Sequence, residues 1–228
     1  MKHAGRARRD GIRLLVGSLG LVLLVLAAGV LSVMHATAFK VMAWVVAGLW
    51  VLFAGFCLNF FRDPNPVAPA SSDVIVAPAY GKVDVIDETT ENEFMGGPCR
   101  RVSTFLSVFD VHVQYAPAAA RVGLMKYRPG KFFNAMKSEL SSQNENVLIG
   151  FESLERPGEK IAVRLIAGMI ARRIVPWIAL EDVVGQGDRT SLIRFGSRVD
   201  LYLPLSAKIQ VRLGDKVKGG ETVVATRT

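Results

Sequence analysis

Two stretches hold residue types that could do chemistry. In FLSVFDVHVQYAP (105–117), His112 is the one histidine beyond two long apolar segments. The stretch alternates with period two. As a strand it would put Asp110, His112 and Gln114 on one face and Phe109, Val111, Val113 and Tyr115 on the other. A histidine with an aspartate two residues away on one face is the pattern of an oriented acid or base. A structural histidine is the competing reading. In LIRFGSRVDLYLP (192–204), Ser197 follows Gly196 in the middle of an apolar strand pair. Glycine inside a strand marks a bulge or a close backbone approach. One reading is a bulge at a barrel corner. The other is a strained peptide bond that the next serine hydroxyl attacks. Residue types alone leave both open.

Other chemistry finds little support. The chain has no G-x-S-x-G elbow, no phosphate-binding P-loop and no H-E-x-x-H. Its two cysteines, Cys57 and Cys99, lie 42 residues apart and cannot make a disulfide framework or a four-ligand zinc site. No metal is expected.

The elements that must position Ser197 and His112 follow from hydropathy and turn residues. Residues 14–34 and 41–61 are each 21 residues without a charge, enough to cross about 30 Å of hydrocarbon as a helix. Only His35–Lys40 separates them, so a two-helix transmembrane hairpin is expected. A cleaved secretory signal is the rival, but the first run is long for one and a second follows at once. The polar segment 62–73 carries three prolines and reads as a linker. From Val74, short β-branched runs alternate with Gly and Pro turns. The expected fold is therefore α+β and mostly β: a multi-stranded, largely antiparallel sheet or barrel over 74–228. FFNAMKSELSS (132–142) is the clearest helix candidate there, and IAGMIARR (166–173) fits either period. The closing segment VRLGDKVKGGETVVATR (211–227) reads as two short strands around Gly-Asp and Gly-Gly turns, like half of a barrel-sandwich unit. VAPAYGKVDVID (76–87) could supply the other half. A carrier lysine at such a tip is commonly flanked by methionines, which Lys216 and Lys218 lack, so the segment reads as a structural hairpin.

Charge separates the two parts. The whole chain has 28 basic and 20 acidic residues. Residues 1–61 hold six basic residues and one acidic. Lys2, Arg6, Arg8, Arg9 and Arg13 precede the first apolar run, which places the N-terminus in the cytoplasm and returns the β domain there. An anionic membrane leaflet accounts for the basic end without a nucleic-acid partner.

In order along nearly the whole chain, FFRDPNP (60–66), VAPAYGKV (76–83), FLSVFDVHVQYAP, KYRPGKFFNA (126–135), IAGMIARRIV (166–175), LIRFGSRVDLYLP and LGDKVKGGETVVA resemble a phosphatidylserine decarboxylase proenzyme of the short bacterial and archaeal type. The FGS-R-V-D-x-Y-L-P stretch and the strand bearing His112 are the specific parts. The resemblance implies self-cleavage between Gly196 and Ser197, giving a large chain 1–196 and a small chain 197–228. Ser197 would attack the Gly196 carbonyl and, after an acyl shift and β-elimination, become a pyruvoyl group. That group would form a Schiff base with phosphatidylserine, release CO₂ and yield phosphatidylethanolamine, without pyridoxal phosphate or metal. It further implies His112 as acid or base, and a catalytic domain on the cytoplasmic side of the cell (inner) membrane. A homodimer is common in the family. Arg198 and Lys131 are candidate phosphate ligands, with surface charge as the alternative for each.

Three blocks depart from the family. Its usual P-A-D-G reads Pro78-Ala79-Tyr80-Gly81, and tyrosine, with a reference pKa of about 10, cannot replace an aspartate as an anion. H-V-N-R-A-P reads His112-Val113-Gln114-Tyr115-Ala116-Pro117, and E-N-E-R reads Gln143-Asn144-Glu145-Asn146. Either another carboxylate (Asp110, Asp84 or Asp87) orients His112, or Tyr80 serves as a phenol near the site, or the chain never matures. The alternatives to the decarboxylase are thus a non-processing, membrane-anchored lipid-binding module and a decarboxylase of a related lipid such as archaetidylserine.

Overall fold

The computed structural model describes residues 2–31, 37–133, 143–169, 173–194 and 197–227. They fall into two compact units, one of Gly5–Asp63 and one built on Pro64–Thr228. The first unit is two helices, α1 (Arg6–Leu31) and α2 (Thr37–Phe60). Helix α1 starts eight residues before its apolar run, since arginine is a good helix former and only Gly11 interrupts the basic segment. Helix α2 starts at Thr37, ahead of the expected end of the loop at Lys40. Arg6–Ala27 and Lys40–Phe60 have mean hydropathies of 2.0 and 2.3 and are long enough to cross a membrane. A polar link joins the helices: Trp50 Nε1 donates to Ser18 Oγ at 3.2 Å, and that hydroxyl donates to Leu15 O at 2.9 Å.

The second unit is built of antiparallel strand pairs, with one isolated parallel bridge between Lys131 and Asn144. Eight strands form a curled half-barrel sheet. In spatial order they are β13 (Lys216–Val217), β2 (Gly81–Glu91), β3 (Gly97–Leu106), β11 (Ser197–Leu203), β7 (Lys160–Ala167), β6 (Asn146–Ser153), β5 (Ala120–Arg128) and β9 (Val183–Val184). A three-stranded sheet joins β1 (Val74–Val76), β14 (Val223–Thr226) and β12 (Lys208–Ile209). Another joins β4 (Val113–Tyr115), β10 (Arg189–Arg194) and β8 (Arg173–Pro176). One apolar core serves all three. It takes Val199, Leu201 and Leu203 from β11, Val163 and Leu165 from β7, Ile75 and Val224 from the first small sheet, and Ile174 and Ile193 from the second. Each such side chain, fully buried, contributes roughly 1.5–3 kcal/mol.

Several sequence expectations change. The alternating run 105–117 is not one strand. It breaks after Leu106 into a turn at 107–110, because the Asp110 carboxylate accepts from Ser107 N at 2.8 Å and Ser107 Oγ at 2.7 Å. The closing segment is not a self-paired hairpin: β13 pairs with β2, while β14 pairs with β1 and β12. IAGMIARR begins as the end of β7 and not as a helix, with residues 170–172 outside the described residues. Most of the helix candidate 132–142 also lies outside them.

Gly81 opens β2 with φ near +151°, and a Cβ there would meet Phe105 O at 2.2 Å. The carbonyl belongs to the paired strand and cannot yield as a side chain would. Gly81→Ala is expected to destabilise the domain by about 3 kcal/mol, read as a lowered denaturant midpoint at unchanged slope.

Candidate active site

Ser197 stands at the start of one strand and His112 just before another, in different sheets, and the two are linked through the residues paired with them. Ser197 opens β11, the strand held between β3 and β7, where its register partners are Leu106 and Ala167. It is 0% exposed, and its hydroxyl has no hydrogen-bond partner among the described residues. A buried hydroxyl left unpaired costs about 1–3 kcal/mol, so its persistence calls for a use. Gly196 itself lies outside the described residues.

The chain changes sheets on either side of that point. Strand β10 belongs to the small sheet with β4 and β8, and β11 to the centre of the large one. His112 is tied to β10: Ile193 N donates to His112 O at 3.2 Å, and β4 continues the pairing through Leu192↔Val113. Strand β11 is tied by Ser197↔Leu106 to the residue before the turn that leads to His112. The bulge or corner expected at Gly196 lies outside the described residues.

The imidazole is buried and its orientation is defined. His112 Nδ1 lies 2.9 Å from Asp110 O. A carbonyl oxygen can only accept, so Nδ1 carries the proton in the neutral ring and Nε2 is the basic nitrogen. The orienting group at Nδ1 is thus the main-chain carbonyl of Asp110. Its carboxylate, expected beside the ring, is occupied by Ser107. Gln114, expected on the same face as His112, bonds to the main chain of that residue. Its amide donates to His112 O at 2.6 Å and accepts from Ser191 Oγ at 2.8 Å, which fixes the backbone on which the ring is mounted.

The remaining candidates make contacts of their own. Tyr80 packs its ring 6.1 Å from that of Tyr115, and Tyr115 N donates to Pro78 O at 2.8 Å, so the Tyr80 segment is fastened to the end of β4. Arg198 alternates to the face of β11 opposite Ser197 and makes a two-toothed pair with Asp84, one arm at 3.0 Å. Its guanidinium is buried, which makes it a structural ion pair and not an open phosphate ligand. Burial pushes the Asp84 carboxyl up, against the pull of Arg198. Asp87 is taken by Arg101 at 2.9 and 2.5 Å. On the same face as Arg198, burial also raises the carboxyl of Asp200, opposed by Ser103 and by the guanidiniums of Arg198, Arg101 and Arg164. Lys131 is exposed, with its ammonium 5.3 Å from the Phe133 ring centroid.

One residue of the site escaped the sequence reading. Asn144 is buried, donates to Ala167 O at 2.8 Å and Phe133 O at 2.9 Å, and accepts from Phe133 N at 2.8 Å. Since Ala167 is the register partner of Ser197, Asn144 braces the strand against which the serine lies. It sits in the polar run QNEN, which has no periodicity to mark a buried residue.

Since Asp110 meets the ring through its main-chain carbonyl, Asp110→Asn is expected, for the self-cleavage that the resemblance implies, to stay within about threefold of the native rate, the amide oxygen still accepting from Ser107. A time course of large-chain appearance on gels checks this. A loss of 10³ or more would restore the carboxylate as the orienting group.

A family model described as "Phosphatidylserine decarboxylase" matches residues 53–225. Among curated relatives, the "Phosphatidylserine decarboxylase proenzyme" of Syntrophus aciditrophicus is 39% identical over 226 residues, covering 99% of this chain and 100% of that one. The proteins of that name from Desulfotalea psychrophila and Magnetococcus marinus are 43% and 47% identical over 180 and 176 residues. These cover 79% and 76% of this chain, and 83% and 78% of the relatives.

Proposed function

The chain belongs to the phosphatidylserine decarboxylase family, a family of carboxy-lyases, and on that premise we propose that it is a membrane-anchored proenzyme that cleaves itself at Gly196-Ser197. Its product would be a pyruvoyl enzyme acting on phosphatidylserine. The observation that carries this reading is the buried hydroxyl of Ser197 at the head of β11, which has no hydrogen-bond partner among the described residues.

His112 Nε2 takes the proton of Ser197 Oγ as that oxygen attacks the Gly196 carbonyl carbon. The peptide C–N bond breaks and an ester forms. Loss of the Ser197 Cα proton then expels the Gly196 carboxylate, and water replaces the amine nitrogen, released as ammonia. The resulting pyruvoyl carbonyl would supply an electrophile and an electron sink for decarboxylation. His112 would again return a proton, at the substrate carbon. Water exclusion favours both steps, because charges developing in a buried site are stabilised by fixed dipoles instead of mobile solvent.

Cleavage need not release the small chain. Strand β11 keeps both neighbours, and β14 keeps β1. Arg227 adds a clasp to the large chain, with ion pairs to Glu155 at 2.9 Å and Glu159 at 3.0 Å. We read β1 and β2 with β12–β14 as a barrel-sandwich-like unit that carries this clasp. Helices α1 and α2 serve as the membrane anchor, with their basic end cytoplasmic, so that the domain meets its lipid substrate at the cytosolic surface.

An intact mass of the purified membrane protein tests the proposal. Two chains are expected in place of 24.8 kDa, the small one blocked to Edman degradation and unblocked by ammonia with cyanoborohydride. A single species at 24.8 kDa with an unmodified Ser197 would overturn it.

A further inference from the structure

The helical unit contains a groove that the chemistry of the β domain does not use. It encloses about 350 Å³, within the size range of small-ligand sites. Arg8, Gly11, Ile12 and Leu15 line it from α1, Cys57 and Leu58 from the end of α2, and Phe61 and Arg62 from the residues just after it. The α1 positions recur at three, four and seven residues and so share one helix face. Gly11 lets α2 approach: a Cβ there would meet the Phe61 side chain at 2.8 Å. The groove is graded along its length. Arg8 and Arg62 stand at its basic end, and Leu15 lies about 10 Å further along α1 at 1.5 Å per residue. Ile12 and Leu58 present apolar surface, 55% and 65% exposed. Arg62 is held in direction by Asn59, to whose carbonyl and side-chain oxygens Nη1 donates at 2.7 and 3.0 Å.

Two guanidiniums at one end and hydrocarbon at the other complement a phosphodiester joined to an acyl chain. We propose that this groove binds one anionic diacyl phospholipid of the surrounding bilayer. Its phosphate would lie between Arg8 and Arg62, and one chain along Ile12, Leu15 and Leu58. This rests on the reading of α1 and α2 as membrane-spanning. A bound lipid there would fix the hairpin's depth and direct it to anionic regions of the membrane, independently of turnover.

Native mass spectrometry of the full chain, delipidated and then titrated with dioleoyl phosphatidylglycerol or dioleoyl phosphatidylcholine, tests it. The native chain is expected to retain one phosphatidylglycerol at least about tenfold more tightly than phosphatidylcholine. Arg8→Gln with Arg62→Gln should abolish the difference, and the corresponding lysine pair should keep most of it. Arg6→Gln with Arg13→Gln removes the same charge from the opposite side of α1 and should stay within about twofold of native. Equal retention of the two lipids by the native chain would overturn the proposal. So would an equal loss in the Arg6/Arg13 variant, which would mean diffuse surface charge. Alkaline carbonate extraction separates the two readings. A native chain released from membranes refutes the anchor and the groove with it, whereas a retained chain without lipid preference refutes the groove alone.

Discussion

Ser197→Ala is expected to leave a single 24.8 kDa chain with no decarboxylation above background. The loss is total because the proposed mechanism uses the hydroxyl twice, as the nucleophile that opens the peptide bond and as the precursor of the reactive carbonyl. The same change should not harm the fold. Ser197 is wholly buried and its Oγ has no partner among the described residues, so alanine removes a desolvated polar atom and leaves the β11 ladder intact. The uncleaved variant should therefore melt at or above the temperature of native proenzyme trapped before maturation, by up to about 1 kcal/mol of stability. This pairing of outcomes is informative: a chain that is inactive and also unstable would mean that the serine has a structural partner. Ser197→Thr sharpens the test, since it keeps the hydroxyl but adds a methyl group where there is no free surface. It should cleave slowly but detectably. Cleavage at this position in the alanine variant would remove the hydroxyl mechanism altogether.

How far such a site can be read without coordinates depends on which forces place its parts. The two helices and the mostly antiparallel β character were legible because hydropathy and β-branched runs act locally. The break at 107–110 was nearly hidden, since the alternation holds from Phe109 to Tyr115 and slips only at Ser107 and Val108. The trace that remained was the pair Ser107 and Asp110, three apart, able to bond across a turn. The role of Asp110 was misjudged for the same reason: once the strand breaks, its carboxylate turns back to Ser107 and its carbonyl meets the ring. Arg198 shows how period two can inform: adjacent to Ser197, it must face the other way, and there it meets Asp84. Asn144 was invisible because its role depends on Phe133 and Ala167, partners 11 and 23 residues away. That LIRFGSRVDLYLP divides between two sheets lay between these cases: glycine within a strand pair hinted at an interruption, but the partners of β10 and β11 are long-range and only the pairing assigns them to different sheets.

His112→Ala should slow self-cleavage by about 10³–10⁴-fold, the upper part of the range for a positioned general base. Fold and base must be separated, because the residue is buried and its carbonyl holds Ile193 and Gln114. Those contacts come from the backbone and survive any side-chain change. What alanine removes is the ring, with its Nδ1 donor to Asp110 O and its basic Nε2, and it leaves a cavity worth about 2–4 kcal/mol. His112→Gln fills most of that space and offers an amide donor to the same carbonyl, but no base. If His112 acts through Nε2, the glutamine variant should fold near native stability and still cleave at least about 10³-fold slower. Imidazole added to the alanine variant should restore part of the rate in a concentration-dependent way. If the ring only braces the turn, glutamine should mature nearly normally and imidazole should do nothing. Maturation happens once per molecule, so a slow variant can be left until mature chains accumulate and then assayed for turnover. A matured His112→Ala enzyme that still decarboxylates slowly would place the same nitrogen in both reactions. One with native turnover would confine His112 to the making of the enzyme.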